Sequence, residues 1–410
     1  MELKNSSKLW TKSFITLSLC SFLLFLNLQL LLSSFPAYVK DKFLAGDVTV
    51  SLVTSVFAIS AIATRFLTAY LIRKIHRNVI LYIGLIIAAL TTAVYVIAST
   101  IGSLLLLRVG YGIGFGMAST IIPTLVSQII PSKRLGEGIG YFSLSTSLAL
   151  SIGPLIGLNL MQQFGFRTLS IVGALTVIII FPLIFMTKSI PPEPAKIVHS
   201  TAAKQRFNFK LLFPASLNMI LAITYSGLLS FIALYGTSVS LDQVGLFFLF
   251  NAVTVVIIRP ISGRLFDRKG HGAVLLPSAV CVIASLVVLS FTTTIPMLIV
   301  SALLYGLGFG AIQPTIQAWM LRISTKEQHG MANSMFYNST DLGVALGALL
   351  LGAIASLSSY AIMYRYAAGF MVLFAVVYML VNRNTAAKQQ AVMLKTASTV
   401  TASNVSGIGH

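Results

Sequence analysis

Two charged side chains fall inside long apolar runs, and such groups carry chemistry because they are costly to keep there. Asp341 is the one acid, of nine in the chain, that lies well within such a run. It sits about ten residues into the run 331–357, roughly 15 Å along a helix at 1.5 Å per residue. Ser334, Asn338 and Asp341 recur at helical spacing with Tyr337 beside them, which makes one polar stripe facing away from lipid. A carboxylate at that depth can serve as a proton carrier. An ion pair or a helix-end contact is its other use. Arg108, the clearest cation within a run, needs a cavity or a partner. A hub of hydrogen bonds to neighbouring carbonyls would also satisfy it.

Other chemistries find no footing. The five histidines are dispersed without metal-ligand spacing. Cys20 and Cys281 both fall inside apolar runs and read as small core residues, with neither disulfide nor metal implied. No GxxxxGK[ST] loop is present, so the sequence gives no sign of direct ATP coupling. The glycine-rich stretches at 110–116 and 306–310 lie within helices, without the strand of a dinucleotide fold. No catalytic Ser, Cys or metal constellation appears. The reading is not an enzyme, and no cofactor is implied.

The elements that must position Asp341 and Arg108 follow from composition. Hydrophobic residues make up 57% of the 410 and charged residues 9%, against about 25% charged in a soluble domain. So much apolar surface must face lipid. Apolar runs bounded by Lys, Arg, Pro or Gly give twelve spans: 13–35, 48–72, 79–99, 102–129, 137–163, 167–187, 211–235, 242–266, 272–293, 296–321, 331–357 and 361–382. About 20 residues suffice for each crossing. The first is too long for a signal peptide's apolar region and reads as a retained helix.

The formal charge of +19 would suggest nucleic acid in a soluble protein. Here the basic residues gather in alternate loops: Lys4, Lys8 and Lys12; Arg73, Lys74 and Arg77; Lys133 and Arg134; the 188–210 linker; Arg264, Arg268 and Lys269; Arg322 and Lys326; and the tail. Topology and anionic lipid account for them, and nucleic acid is not a partner. The positive-inside rule places both termini in the cytoplasm, which requires an even number of spans. The expected organisation is a bundle over 1–187, a cytoplasmic linker over 188–210 with Pro191, Pro192 and Pro194, a second bundle over 211–383, and a disordered cytoplasmic tail over 384–410.

The halves match at one constant offset of 194 residues. YGIGFG at Tyr111–Gly116 answers to YGLGFG at Tyr305–Gly310. Arg65 answers to Arg259, Gly136 to Gly330, Phe142 to Phe336 and Gly153 to Gly347. Parallel six-helix repeats are a transporter architecture, with the substrate site between the halves and alternating access by rocking.

Three motifs carry a family resemblance. RPISGRLFDRKGHGAVLL, from Arg259 to Leu276, resembles the Gly-x-x-x-Asp-Arg-x-Gly loop signature of the major facilitator superfamily. LLLLRVGYGIGFG, from Leu104 to Gly116, is similar to its span-four arginine motif. GPLIG, from Gly153 to Gly157, is similar to the span-five motif of its proton-coupled antiporters. The resemblance runs from about residue 13 to 382 and matches the drug:proton antiporter branch best.

The resemblance implies roles. Gly263 lets two helices approach, and Asp267 at a helix end can accept from free amides at another helix N-terminus. In the family that partner is the start of span five, with Arg264, Arg268 and Lys269 completing a cytoplasmic latch. The bland alternative is that these charges only set topology. The first-half copy has Ala69 for Gly263 and Arg73 for Asp267. A cation cannot cap an N-terminus, so Arg73 is expected to pair with Glu327 or Asp341. By resemblance, Arg108 joins the central cavity or the proton-coupling network with Asp341. Gln313 and Gln317, one turn apart on span ten, become cavity candidates together with Asn338 and Tyr337. Gly153, Pro154 and Gly157 give span five tight packing and a kink. Many drug antiporters of the family carry an acid in span one, where this chain has only Asn27 and Gln29.

The expectation is a secondary transporter in a bacterial cytoplasmic membrane, exporting a small amphipathic drug or metabolite in exchange for protons. An exporter dedicated to one metabolite, such as a sugar or siderophore, and a lipid-linked flippase on the same fold are the alternatives. Its partners would be substrate, protons and lipid, with no obligate protein partner evident.

Overall fold

A computed structural model describes residues 8–44, 47–72, 74–186, 208–241 and 243–382. The expected linker, the tail and Arg73 lie outside the described residues, apart from the linker's last residues 208–210. The chain is all-α, with twelve membrane-crossing segments in two pseudo-symmetric bundles. The first half holds α1 (Lys12–Phe43), α2 (Asp47–Leu71), α3 (Arg77–Val94), α4 (Ile101–Ile129), α5 (Leu135–Ile178) and the short α6 (Ile180–Met186). The second holds α7 (Leu212–Ser238), α8 (Leu246–Lys269), α9 (Gly272–Ser290), α10 (Ile295–Arg322), α11 (His329–Leu357) and α12 (Tyr360–Asn382).

Helix ends follow local chemistry. Thr11 caps α1 by accepting from the Phe14 amide at 3.2 Å. Thr100 and Ser103 form a reciprocal capping box at the start of α4. Gly270 ends α8 with φ +79°, a conformation that side chains with a Cβ resist. The fifth and sixth spans are the expected pair of separate helices, parted within α5 by a kink at Gly165. The φ of +76° at Gly165 lies outside the helical region, a conformation glycine adopts without strain, and α6 completes the sixth crossing.

Ten described helices are long and apolar enough to cross a bilayer, and the apolar part of α2, Ser55–Leu71, is somewhat shorter. Their outer faces expose large hydrophobics such as Ile59, Leu106, Ile171, Leu249, Ile257 and Leu349, as lipid contact requires. Inside each half the packing scheme repeats. α1 lies on α5, α2 on α4 and α3 on α4, and correspondingly α7 on α11, α8 on α10 and α9 on α10. The halves meet through α5 with α8 and α10, and through α2 and α4 with α11. The basic loops share one end of this assembly, called here the basic end.

The Gly-Pro stretch of α5 faces α1. A methyl group at Gly157 would lie 2.5 Å from the Leu30 carbonyl oxygen, and one at Gly153 would lie 2.5 Å from Gln29 Cβ. Gly347, the repeat partner of Gly153, presses α11 onto α7 at Ile223 in the same way. Asn27 is wholly buried and bridges three helices, donating to the Gly173 carbonyl at 2.7 Å and accepting from the Tyr111 hydroxyl at 2.5 Å. In span one it is therefore an internal tie.

Gly157→Ala should destabilise the protein by about 1–3 kcal/mol through overpacking against backbone. Gly369→Ala, where a methyl meets nothing within 4 Å, should not. Thermal unfolding in detergent compares the two, and equal melting temperatures would show that the α1–α5 contact yields freely.

Candidate functional site

A set of hydrogen bonds between the halves falls between the helix midpoints and the basic end. They form three layers. The outermost is built on α8, whose last turn carries Asp267. Its carboxylate accepts from the Gly136 and Glu137 amides at 2.8 and 2.9 Å. These are free donors because they open α5, where negative charge is also favoured by the helix dipole. Arg322, at the end of α10, donates to Asp267 at 2.7 Å and lies over the Phe266 ring at 4.0 Å. Glu137 in turn accepts from Arg134 at 2.7 Å and from Arg264 at 2.8 Å. Gly263 and Gly136 let the helices meet, since a methyl at Gly136 would lie 2.5 Å from the Gly263 carbonyl oxygen. Arg268 is exposed and makes none of these bonds.

Between α8 and α9, His271 stacks on Trp319 with ring centroids 4.1 Å apart and shares a hydrogen bond of 2.6 Å with the Tyr378 hydroxyl. Burial, then the nearby charge of Arg322, hold its pKa below the usual histidine range. It braces the end of α10 that delivers Arg322.

The middle layer joins α4 to α11. His329 shares a hydrogen bond of 2.9 Å with Ser127. Asn333 reaches Thr124 at 3.5 Å and accepts from Gln317 at 2.9 Å.

The innermost layer holds two buried arginines related by the repeat. Arg65 on α2 bonds Ser119 on α4 at 3.2 Å, then crosses to α11, where it bonds Asn338 at 3.2 Å and forms an ion pair with Asp341. Ser334 closes the same contact by donating to the Arg65 carbonyl at 3.0 Å. Arg259 on α8 donates to Gln313 on α10 at 2.9 Å and crosses to the Ser143 carbonyl of α5. Tyr337 lies between them. Arg65 is 5.6 Å from its ring centroid, and the charge of Arg259 also reaches it. Phe25 and Phe115 flank the Arg65 side, while Tyr225 stacked on Phe309 flanks the Arg259 side.

Of the sequence candidates, Asp341, Asn338, Tyr337 and Gln313 meet in this layer, and Gln317 lies one turn towards the basic end. Asp341, expected as a proton carrier or in an ion pair, forms an ion pair with Arg65, and the pairing expected of Arg73 lies outside the described residues. Arg108 does not join them. It lies about 16 Å along α4 from Ser119 at 1.5 Å per residue. There it donates to the Val53 carbonyl at 3.0 Å and is caged by Phe35, Phe57 and Tyr111. Arg65, Arg259, Glu137 and Arg322 are the residues missed. The signal for the first two is the one that singled out Arg108, a cation within an apolar run.

Comparison with known proteins agrees with this architecture. The Major Facilitator Superfamily profile matches residues 17–238 and 215–405. The staphylopine export protein of Staphylococcus aureus is 25% identical over 334 residues, covering 78% of this chain and 84% of its own. The quinolone resistance protein NorA of the same species is 25% identical over 351 residues, with 81% and 87% covered. An uncharacterised transporter of this type from Methanocaldococcus jannaschii is 22% identical over 353 residues, with 83% and 90% covered. Among solved structures, the human organic anion transporter MFSD10 superimposes with a TM-score of 0.73 at 15% identity, over 89% of this chain and 98% of its own. FucP, in its outward conformation, gives 0.71 at 16% identity with the same coverage.

Asp267→Ala removes a cap worth about 1 kcal/mol, a shift of about fivefold towards opening of the basic end. In a chain with Cys20 and Cys281 replaced by alanine, a cysteine at buried Ser127 should react with a polar maleimide about fivefold faster when Asp267 is lost. An unchanged rate would mean that the outer layer does not hold this end shut.

Proposed function

The chain belongs to the major facilitator superfamily, and from that premise we propose that it is a proton-coupled exporter of small amphipathic molecules working by alternating access. Members of the superfamily are carriers of small molecules, not enzymes. The relatives named for staphylopine export and for quinolone resistance support efflux. The charge asymmetry of the loops supports a cytoplasmic basic end with both termini inside, and the staphylococcal relatives support a bacterial cytoplasmic membrane.

The observation that carries the coupling is the Arg65–Asp341 ion pair. It links the halves, Arg65 is 3% exposed, and the Asp341 side chain keeps 36% exposure. A proton can therefore reach the acid while the arginine stays enclosed. With the basic end closed, the opposite side offers protons to Asp341. Neutral Asp341 no longer answers the charge of Arg65, so the bond holding α2 to α11 weakens and the basic end opens. Substrate then enters from the cytoplasm as Asp341 releases its proton there. Reclosure restores the ion pair and turns the substrate outwards. Coupled exchange requires that the deprotonated form reclose only with substrate in the site.

In proteoliposomes under an imposed pH gradient, a panel of lipophilic drugs and metabolites should drive proton movement through the wild type. Asp341→Asn should abolish it while leaving the protein folded. Movement that persists in the variant would return Asp341 to a purely structural role. No movement with any compound would sink proton-linked export.

A further inference from the structure

The two central arginines are equivalent in the repeat but not in charge balance. The stretch Ser145–Thr146–Ser147 on α5 answers to Ser339–Thr340–Asp341 on α11 at the offset of 194 residues. Ser119 answers to Gln313, and each receives a bond from its own arginine. The place that Asp341 takes against Arg65 is thus held by Ser147 against Arg259. Among the described residues no carboxylate pairs with Arg259. Its side chain is 1% exposed and its Nε–H has no acceptor. Both of its bonded partners, the Ser143 carbonyl and the Gln313 amide oxygen, are neutral.

A buried guanidinium without a counter-ion carries a large desolvation cost, which an arriving anion relieves. The groups around it suit an aromatic or otherwise apolar body. Tyr225 lies within reach of its charge and stacks on Phe309 with centroids 4.7 Å apart, and Tyr337 closes the side towards Arg65. We propose that Arg259 is the receptor for the acid group of an amphipathic organic anion, most simply a carboxylate, whose apolar body rests against Tyr225, Phe309 and Tyr337. This deepens, and rests on, the reading of the chain as a proton-coupled exporter. The repeat has then divided one ancestral arrangement in two: Arg65 with an internal carboxylate serves the proton, and Arg259 with none serves the cargo. An anion leaving as a proton enters moves two positive charges inwards per cycle, so an inside-negative potential drives both.

The test uses the full chain in detergent and three matched probe triplets. These are phenyl, naphthyl and indolyl bodies, each bearing a carboxylate, its primary amide, or an ammonium group. The readout is the saturable rise in melting temperature with probe concentration. Carboxylates should stabilise the wild type, and the amide and ammonium members should not. Arg259→Gln should weaken the carboxylate response about 10- to 100-fold, the range of a hydrogen bond to a charged group. That variant also removes the bond to Ser143 across the seam and the bond to Gln313 within the second half. Ser147→Asp is therefore the second variant: it keeps the arginine, supplies an internal counter-ion, and should abolish the response equally. Stabilisation by ammonium probes as strong as by carboxylates, a carboxylate response that survives both variants, or no carboxylate response in the wild type would overturn the proposal. If the anion class falls but ammonium or amide probes drive proton movement that Asp341→Asn abolishes, proton-linked export stands. If carboxylates bind through Arg259 and no probe moves protons, the receptor stands and the coupling falls.

Discussion

A guanidinium inside an apolar span costs several kcal/mol unless something answers its charge, and Arg65 is answered from the other half of the molecule. Asp341 approaches it from α11, Asn338 shares the contact, and Ser334 ties the Arg65 carbonyl to the same helix. Each of these contacts reaches across to the other bundle, and Arg65 adds only Ser119 from its own. The fold of each half therefore leaves a polar deficit that only the other half meets. That deficit fixes where α2 and α11 must touch, and the repeat then fixes where α5 and α8 touch.

The two contacts share one plan and differ in chemistry. On the α5–α8 side the outer end is held by a carboxylate on helix-end amides, because Gly263 and Asp267 allow close approach and capping. On the α2–α11 side Ala69 and Arg73 replace them, and the tie is made deeper by an ion pair. One side is sealed by a carboxylate held on helix-end amides, and the other by a carboxylate held on a buried arginine. Such asymmetry lets a pseudo-symmetric molecule respond to one ligand on one side without loosening both.

Much of this was legible in the residues. Apolar runs set the spans because each must match the bilayer thickness. The constant offset gave the two-bundle plan, and the stripe of Ser334, Asn338 and Asp341 marked the polar face of α11. What the sequence lacked was partnership. Periodicity gives the depth and face of a residue on its own helix, but not which helix of the other half arrives at that depth. Arg65 and Arg259 were visible as a matched pair, yet their partners lie 276 and 116 residues away in the chain. Arg322 and Glu137 were hidden differently: in basic and mixed loops, a residue that sets topology and one that clamps helices look alike. Arg108 shows the same gap: a cation within an apolar run need not face the seam, and it lies about 16 Å along α4 from the Arg65 layer, in an aromatic cage of the first bundle.

The layers between the halves also give water a thermodynamic role. Every polar group that faces its partner across the seam, from Asp267 to Asn338, must take up water when the basic end parts, because none can be left bare. Opening is thus a hydration reaction, and its equilibrium depends on the activity of water as it would on any other ligand. Solutes excluded from so narrow a cleft favour the closed form, so crowding and osmotic pressure in the compartment facing that end tune how often that end opens.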